Sequence, residues 1–210
     1  WKNMDGNIIG AQYKYIKDNV CQKRFLKNTD RSNSLWMTPI EGSKALFVTE
    51  DPLDAIAHSQ LFPGARYAYL CTGGTSTKAQ REMIHSFSQK FKLPIILGND
   101  NDLAGQLENF KLAYHTANIE YAINSKTQRV LLTVNGAERE WGKDEIVAAL
   151  QAVMKQRPNM ILSIPWAKDW NDDLRSSKKS ISLRIAENMV RAQIETTKSE
   201  QRGMIAGKLP

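Results

Sequence analysis

Ala45-Leu46-Phe47-Val48-Thr49-Glu50-Asp51-Pro52-Leu53-Asp54-Ala55 is the stretch on which the reading of this chain turns. Its first five residues are a nearly continuous apolar run, the mark of a strand buried on both faces. The run stops at Glu50. Asp51 is a good helix N-cap, and Pro52 stands at the first helical position, where a missing N–H costs nothing. Leu53, Ile56, Ala57, Gln60 and Leu61 then follow at helical spacing until Pro63-Gly64. The stretch therefore predicts a strand, a carboxylate at its end and a helix leading away.

The same unit recurs downstream. A strand over Tyr67–Cys71 runs into Thr72-Gly73-Gly74-Thr75-Ser76, and Thr77 with Gln80 forms a capping-box signature for a helix reaching about Lys90. A third strand, Pro94–Leu97, leads into Gly98-Asn99-Asp100-Asn101-Asp102-Leu103-Ala104-Gly105 and a helix with Leu107, Phe110 and Tyr114 on one face. Strand–helix alternation predicts an α/β fold, a doubly wound, mainly parallel sheet with helices on both faces. In such folds ligands bind at the carboxyl ends of the strands, which is where Glu50, Asp100 and Asp102 fall. Asp100 and Asp102, two apart on an extended segment, can face the same way and suit a hard, oxygen-seeking cation such as Mg²⁺. The tripeptide alone equally suits a polar turn.

Before this region, residues 7–16 and Val20–Leu26 read as two arms of a strand pair, so that 1–43 is a β-rich basic segment with a loop over 28–34. After it, Ile119–Ile123 and Arg129–Val134 read as strands, with Asn135-Gly136 as a turn signal. Ile146, Val147, Leu150, Val153 and Met154 mark an amphipathic helix, and Met160–Ile164 another buried strand. Residues 176–210 read as a basic C-terminal helix and tail, with Ile181, Ile185 and Met189 in line.

The 210 residues carry 29 Lys+Arg against 22 Asp+Glu, net +7, which raises a polyanionic partner. The excess is uneven: residues 49–110 hold five basic and seven acidic residues, whereas 1–48 hold eight and four. An acidic island between basic flanks suits metal in the middle and phosphate around it. No apolar run approaches the roughly 18 residues of a membrane span, and the polar opening is no secretory signal. Two cysteines, Cys21 and Cys71, are too few for a disulfide scaffold and fit a reducing, cytoplasmic setting. Opening on Trp1 rather than Met suggests a piece of a longer polypeptide. His58, His85 and His115 share no metal-ligand spacing and read as packing or surface residues. Trp166 and Trp170, flanking Lys168-Asp169, either pack on the sheet end or stack on a base.

Phe47–Ala55, Gly74-Thr75-Ser76-Thr77, Asp100–Gly105 and Lys168-Asp169 resemble, in that order, the motifs of the Toprim domain of bacterial DnaG-type primases. Primase-like proteins of conjugative plasmids and mobile elements carry similar regions, often with the closing Lys-Asp-Trp-Asn-Asp found at 168–172. The resemblance implies a Toprim-type domain over 44–175, with residues about 116–158 exceeding the usual spacing as an insertion. It implies that Glu50, Asp100 and Asp102 bind Mg²⁺, with Mn²⁺ as substitute, and that Glu50 also serves as acid/base. Asp54 and Asp169 become further catalytic carboxylates, and Lys14, Arg24 and Lys168 contacts to nucleotide or template phosphates. Two departures stand out: Asp51 replaces the glycine that usually follows the glutamate, and Asn171 replaces the second acid of the Lys-Asp motif.

The function implied is Mg²⁺-dependent, primase-like nucleotidyl transfer. It would make short primers on single-stranded DNA from NTPs, in plasmid or mobile-element replication or conjugative transfer, with helicase or relaxase partners in the parent polypeptide. The alternatives are a non-catalytic DNA-binding module of a larger mobilisation protein and a Toprim nuclease.

Overall fold

The computed structural model describes residues 1–18 and 20–176, so the basic helix expected near the C-terminus lies outside the described residues. Strands β1 (Gln12–Lys17) and β2 (Val20–Phe25) pair antiparallel with Lys14 opposite Lys23. A single 3-10 turn at Arg31–Asn33 precedes the short strand β3 (Trp36–Met37). Then come β4 (Ala45–Thr49), α1 (Pro52–Leu61), β5 (Tyr67–Cys71), α2 (Lys78–Phe91), β6 (Ile95–Leu97) and α3 (Leu103–Ala113). A meander follows, β7 (Ile119–Asn124), β8 (Arg129–Val134) and β9 (Ala137–Trp141), and α4 (Lys143–Gln156) leads back to β10 (Met160–Leu162) and α5 (Trp170–Arg175).

The central sheet has the order β10-β6-β4-β5-β3, parallel except for β3, which pairs antiparallel with β5. Every residue of β4 and β5 is buried, as expected of a strand covered on both sides. The side-chain period of two sends Leu46 and Val48 into one core with Ile84, Leu107, Phe110 and Leu150, from α2, α3 and α4. It sends Ala45 and Phe47 into the other with Ala57, Leu61 and Trp170, from α1 and α5. Helices thus cover both faces of a parallel-rich sheet. From β4 the chain steps to β5 on one side and later returns to β6 on the other, the reversal of strand order beside which a crevice forms in open α/β sheets, here at the carboxyl end of β4.

Local signals placed the main elements within a residue or two because caps and stop residues are present. Thr77 and Gln80 close the capping box of α2 in both directions, Asp51 caps α1 through Leu53 N, and Asp102 caps α3 through Gly105 N. Three elements go beyond those expected from the sequence. β3 is two residues long, and α5 six. β9, Ala-Glu-Arg-Glu-Trp, is mostly exposed and exists because Asn135 (φ 50°) and Gly136 (φ 85°) turn it back onto β8. No helix among the described residues is long and apolar enough to cross a membrane.

Candidate metal centre and its basic rim

Glu50 follows β4, and Asp100 and Asp102 follow β6; the two strands are direct neighbours, which brings the three carboxylates to one edge of the crevice. Two further acids arrive from the opposite face. Asp54 stands in the first turn of α1 and Asp169 caps α5, accepting from Asp172 N. The convergence is registered electrostatically. The Asp100 carboxyl is pushed up to about 8, first by burial and then by Asp54, Glu50, Asp102 and Asp169. Asp54, 5% exposed, is pushed up to about 7 by burial, Asp169 and Asp51, against the stabilising hydrogen bond that Asn171 Nδ2 donates to its Oδ1 at 2.8 Å. Carboxylates that share a partly buried site resist ionisation together unless a cation stands among them.

The close approach of the β6 loop to α3 demands Gly105. A Cβ there would lie 2.3 Å from the carbonyl oxygen of Asp100 and 2.7 Å from its nitrogen. Gln106 Nε2 donates to that same carbonyl at 2.8 Å. On the α5 side, Asp173 is 3% exposed and accepts from Trp166 N and Ala167 N at 2.9 and 2.7 Å, which fixes the turn carrying Lys168 and Asp169. The backbone of Asn101 donates to Lys168 O at 2.7 Å, tying this turn to the loop of Asp100 and Asp102.

Lysines form the rim. Lys14 Nζ lies 2.7 Å from Asp51 Oδ1, and Lys23 Nζ lies 3.7 Å from Glu50 and 3.6 Å from Asp51. Lys168 Nζ lies 3.8 Å from Asp102 Oδ2, and Lys143 donates to Asn101 Oδ1 at 3.2 Å. Of the expected phosphate contacts, Lys14 and Lys168 therefore reach the carboxylates, while Arg24 does not. In the hairpin register Arg24 shares a face with Tyr15, over whose ring its guanidinium lies at 5.8 Å, and this face is opposite that of Lys14 and Lys23. Lys23 is the residue that sequence reading missed, and strand alternation with Lys14 was the signal for it.

The other expectations resolve individually. Trp170 is 1% exposed and donates from Nε1 to Gly98 O at 2.8 Å, so it packs on the sheet end, whereas Trp166 is 61% exposed. His58 is buried against Phe47 and hydrogen-bonded to Tyr69. His85 and His115 stack on each other with centroids 3.4 Å apart. Ser76, which ends the glycine-rich loop after β5, is held from below by the buried Glu108, itself paired with Lys111 at 2.6 Å.

Among the described residues no three His, Cys, Asp or Glu side chains stand close enough to enclose an ion as they are. Lys23 and Lys168 occupy oxygens of Glu50 and Asp102, and Asp102 spends its other oxygen on the cap of α3. The Asp100 side chain, with no ion pair among the described residues, is left to burial and the repulsion of its neighbours. An all-oxygen carboxylate set whose charge is partly offset by lysines fits Mg²⁺ or Mn²⁺ and offers no soft ligand for other metals.

Residues 47–130 match the family model described as Toprim-like, which makes this part of the chain a Toprim-like domain. Toprim domains bind Mg²⁺ through acidic residues and occur in enzymes acting on nucleic acids, among them primases, nucleases and topoisomerases. No curated protein matches the chain, and no solved structure does.

Proposed function

We propose that this chain carries out divalent-metal-dependent nucleotidyl transfer on nucleic acid, of the primase type, extending a 3′-hydroxyl with NTPs on a single-stranded DNA template. The observation that carries the proposal is the meeting of Glu50, Asp100 and Asp102 at the ends of adjacent strands, beneath the lysines of the hairpin that precedes them. The hairpin sets basic side chains beside the β4–Glu50 motif, as a site for nucleotide phosphates requires. A nuclease requires the carboxylates but no nucleotide site beside them.

Glu50, Asp100 and Asp102 would hold the metal. When bound, the metal supplies charge neutralisation at the attacking hydroxyl and at the leaving pyrophosphate. The protein's own contribution is positional. Lys14, Lys23 and Lys168, released from carboxylates by the incoming cation, are free to pair with phosphate oxygens. Asn171 orients Asp54, and Asp173 fixes the turn that sets Lys168 and Asp169 against the crevice.

The test is a priming assay with single-stranded DNA, NTPs and Mg²⁺ or Mn²⁺, run beside Asp100→Ala and with labelled DNA alone. The expected result is metal-dependent primer synthesis that Asp100→Ala abolishes. Degradation of the labelled DNA without synthesis reassigns the site to a nuclease; salt-sensitive DNA binding without either product reassigns the chain to a binding module.

A further inference from the structure

α3 carries two buried residues that packing alone does not explain. Leu103, Leu107, Phe110 and Leu112 go into the apolar core. Gln106 and Asn109 are just as completely buried, and Asn99, just past the end of β6, is nearly so. Three primary amides taken out of water are costly unless each finds partners, and leucine or methionine would fill the same volume without that cost. What an amide adds to a core is direction.

That direction is set by the hydrogen bonds. Asn99 donates to Asn109 Oδ1 from its side chain at 2.9 Å and from its backbone at 3.4 Å. Asn109 Nδ2 donates to Gln106 Oε1 at 3.3 Å, and Gln106 Nε2 donates to the carbonyl oxygen of Asp100 at 2.8 Å. Asn99 and Asp100 are neighbours in the chain, so the series closes into a ring of amides that encloses the peptide bond between them. The peptides on either side are each held a second time: Trp170 Nε1 donates to Gly98 O at 2.8 Å, and Asn101 N donates to Lys168 O at 2.7 Å. The backbone that carries the Asp100 side chain is thereby fixed, although a carboxylate set among like charges gains by turning away from them.

We infer that Asn99, Gln106 and Asn109 are positioning residues that hold Asp100 in the crevice for a divalent cation, acting through its backbone and touching neither the cation nor the substrate. The inference rests on the metal-dependent function proposed above and deepens it by naming what keeps the ligand in place. A carboxylate aimed before the cation arrives binds it without rearranging the loop, and groups that orient metal ligands govern metal affinity by about 10–100-fold.

The experiment titrates Mn²⁺ into the full chain, with the free ion followed by electron paramagnetic resonance, and measures Tm on the same samples without metal. Gln106→Met keeps the length of the side chain and removes the amide; it is expected to weaken Mn²⁺ binding about tenfold or more. Asn109→Ala, one step further from Asp100, is expected to weaken it by less. Ser88→Ala is the control: it removes a buried hydrogen bond of 2.6 Å to Leu93 O, before the other end of β6, and is expected to lower Tm while leaving Mn²⁺ affinity at the parent's value. Binding of a single-stranded oligonucleotide in EDTA, which depends on the lysine rim, is expected to be the same in Gln106→Met as in the parent. A Mn²⁺ affinity in Gln106→Met equal to the parent's, or a loss matched by Ser88→Ala, overturns the inference; if Gln106→Met does not fold, Asn109→Ala decides by the same comparison. A parent that binds Mn²⁺ as tightly as its variants loses only the positioning role, whereas a parent that binds none loses the metal-dependent function as well.

Discussion

Replacing Asp100 by Asn tests the electrostatic argument directly, because it keeps shape and removes charge. The Asp100 side chain makes no hydrogen bond among the described residues, whereas its carbonyl, unaffected by the change, accepts from Gln106. A rise from the ordinary 3.8 to about 8 means that the folded state holds a proton that the unfolded state releases. Stability is then fully present below pH 3.8 and is lost as pH rises toward 8. Taken in full this is roughly 5 kcal/mol at pH 8. The carboxyl is only half-buried, and water screens part of its repulsion, so about 2–3 kcal/mol is expected. Urea unfolding in EDTA should show Asp100→Asn more stable than the parent by that amount at pH 8, with the gap nearly closed at pH 4.5. Added Mg²⁺ should stabilise the parent through binding to the folded state and leave the variant unmoved. If Asp100→Asn is no more stable than the parent at pH 8, or if its gain is the same at both pH values, the carboxylates are not coupled as described and the metal argument loses its basis.

Gly105→Ala puts a methyl group 2.3 Å from a backbone oxygen that cannot swing aside; a loss of about 1–3 kcal/mol is expected, together with loss of the Mg²⁺-induced rise in Tm. Lys23→Ala should weaken oligonucleotide binding and lower its salt dependence by about one ion, while Arg24→Ala, on the opposite face of the hairpin, should leave both nearly unchanged when measured by anisotropy at several salt concentrations. His58 is held neutral by burial, its pKa lowered from 6.5 to about 3. Its contribution is therefore present above pH 6.5 and is lost as pH falls toward 3. Compared by urea unfolding, the parent should lose about 2 kcal/mol more than His58→Phe between pH 7.5 and pH 5.

The sequence by itself determined what short-range chemistry controls. The apolar runs ending at Glu50 and at Asn99, the capping residues Asp51, Thr77 and Asp102, and Gly105 all act within a few positions of themselves. They are enough to define strands, helices and the acids that follow the strands. The tertiary structure alone decided what depends on distant partners. That β4 lies beside β6 is a pairing across some fifty residues, and it is what joins Glu50 to Asp100. Asn171 reaches Asp54 across 117 positions, and no local pattern announces it. Lys23 rather than Arg24 faces the crevice because neighbouring residues on a strand point to opposite sides, so one step in register exchanges every contact. Trp166 and Trp170 likewise differ only in environment: one is enclosed by the sheet end, and the other is left in water by the turn that Asp173 holds.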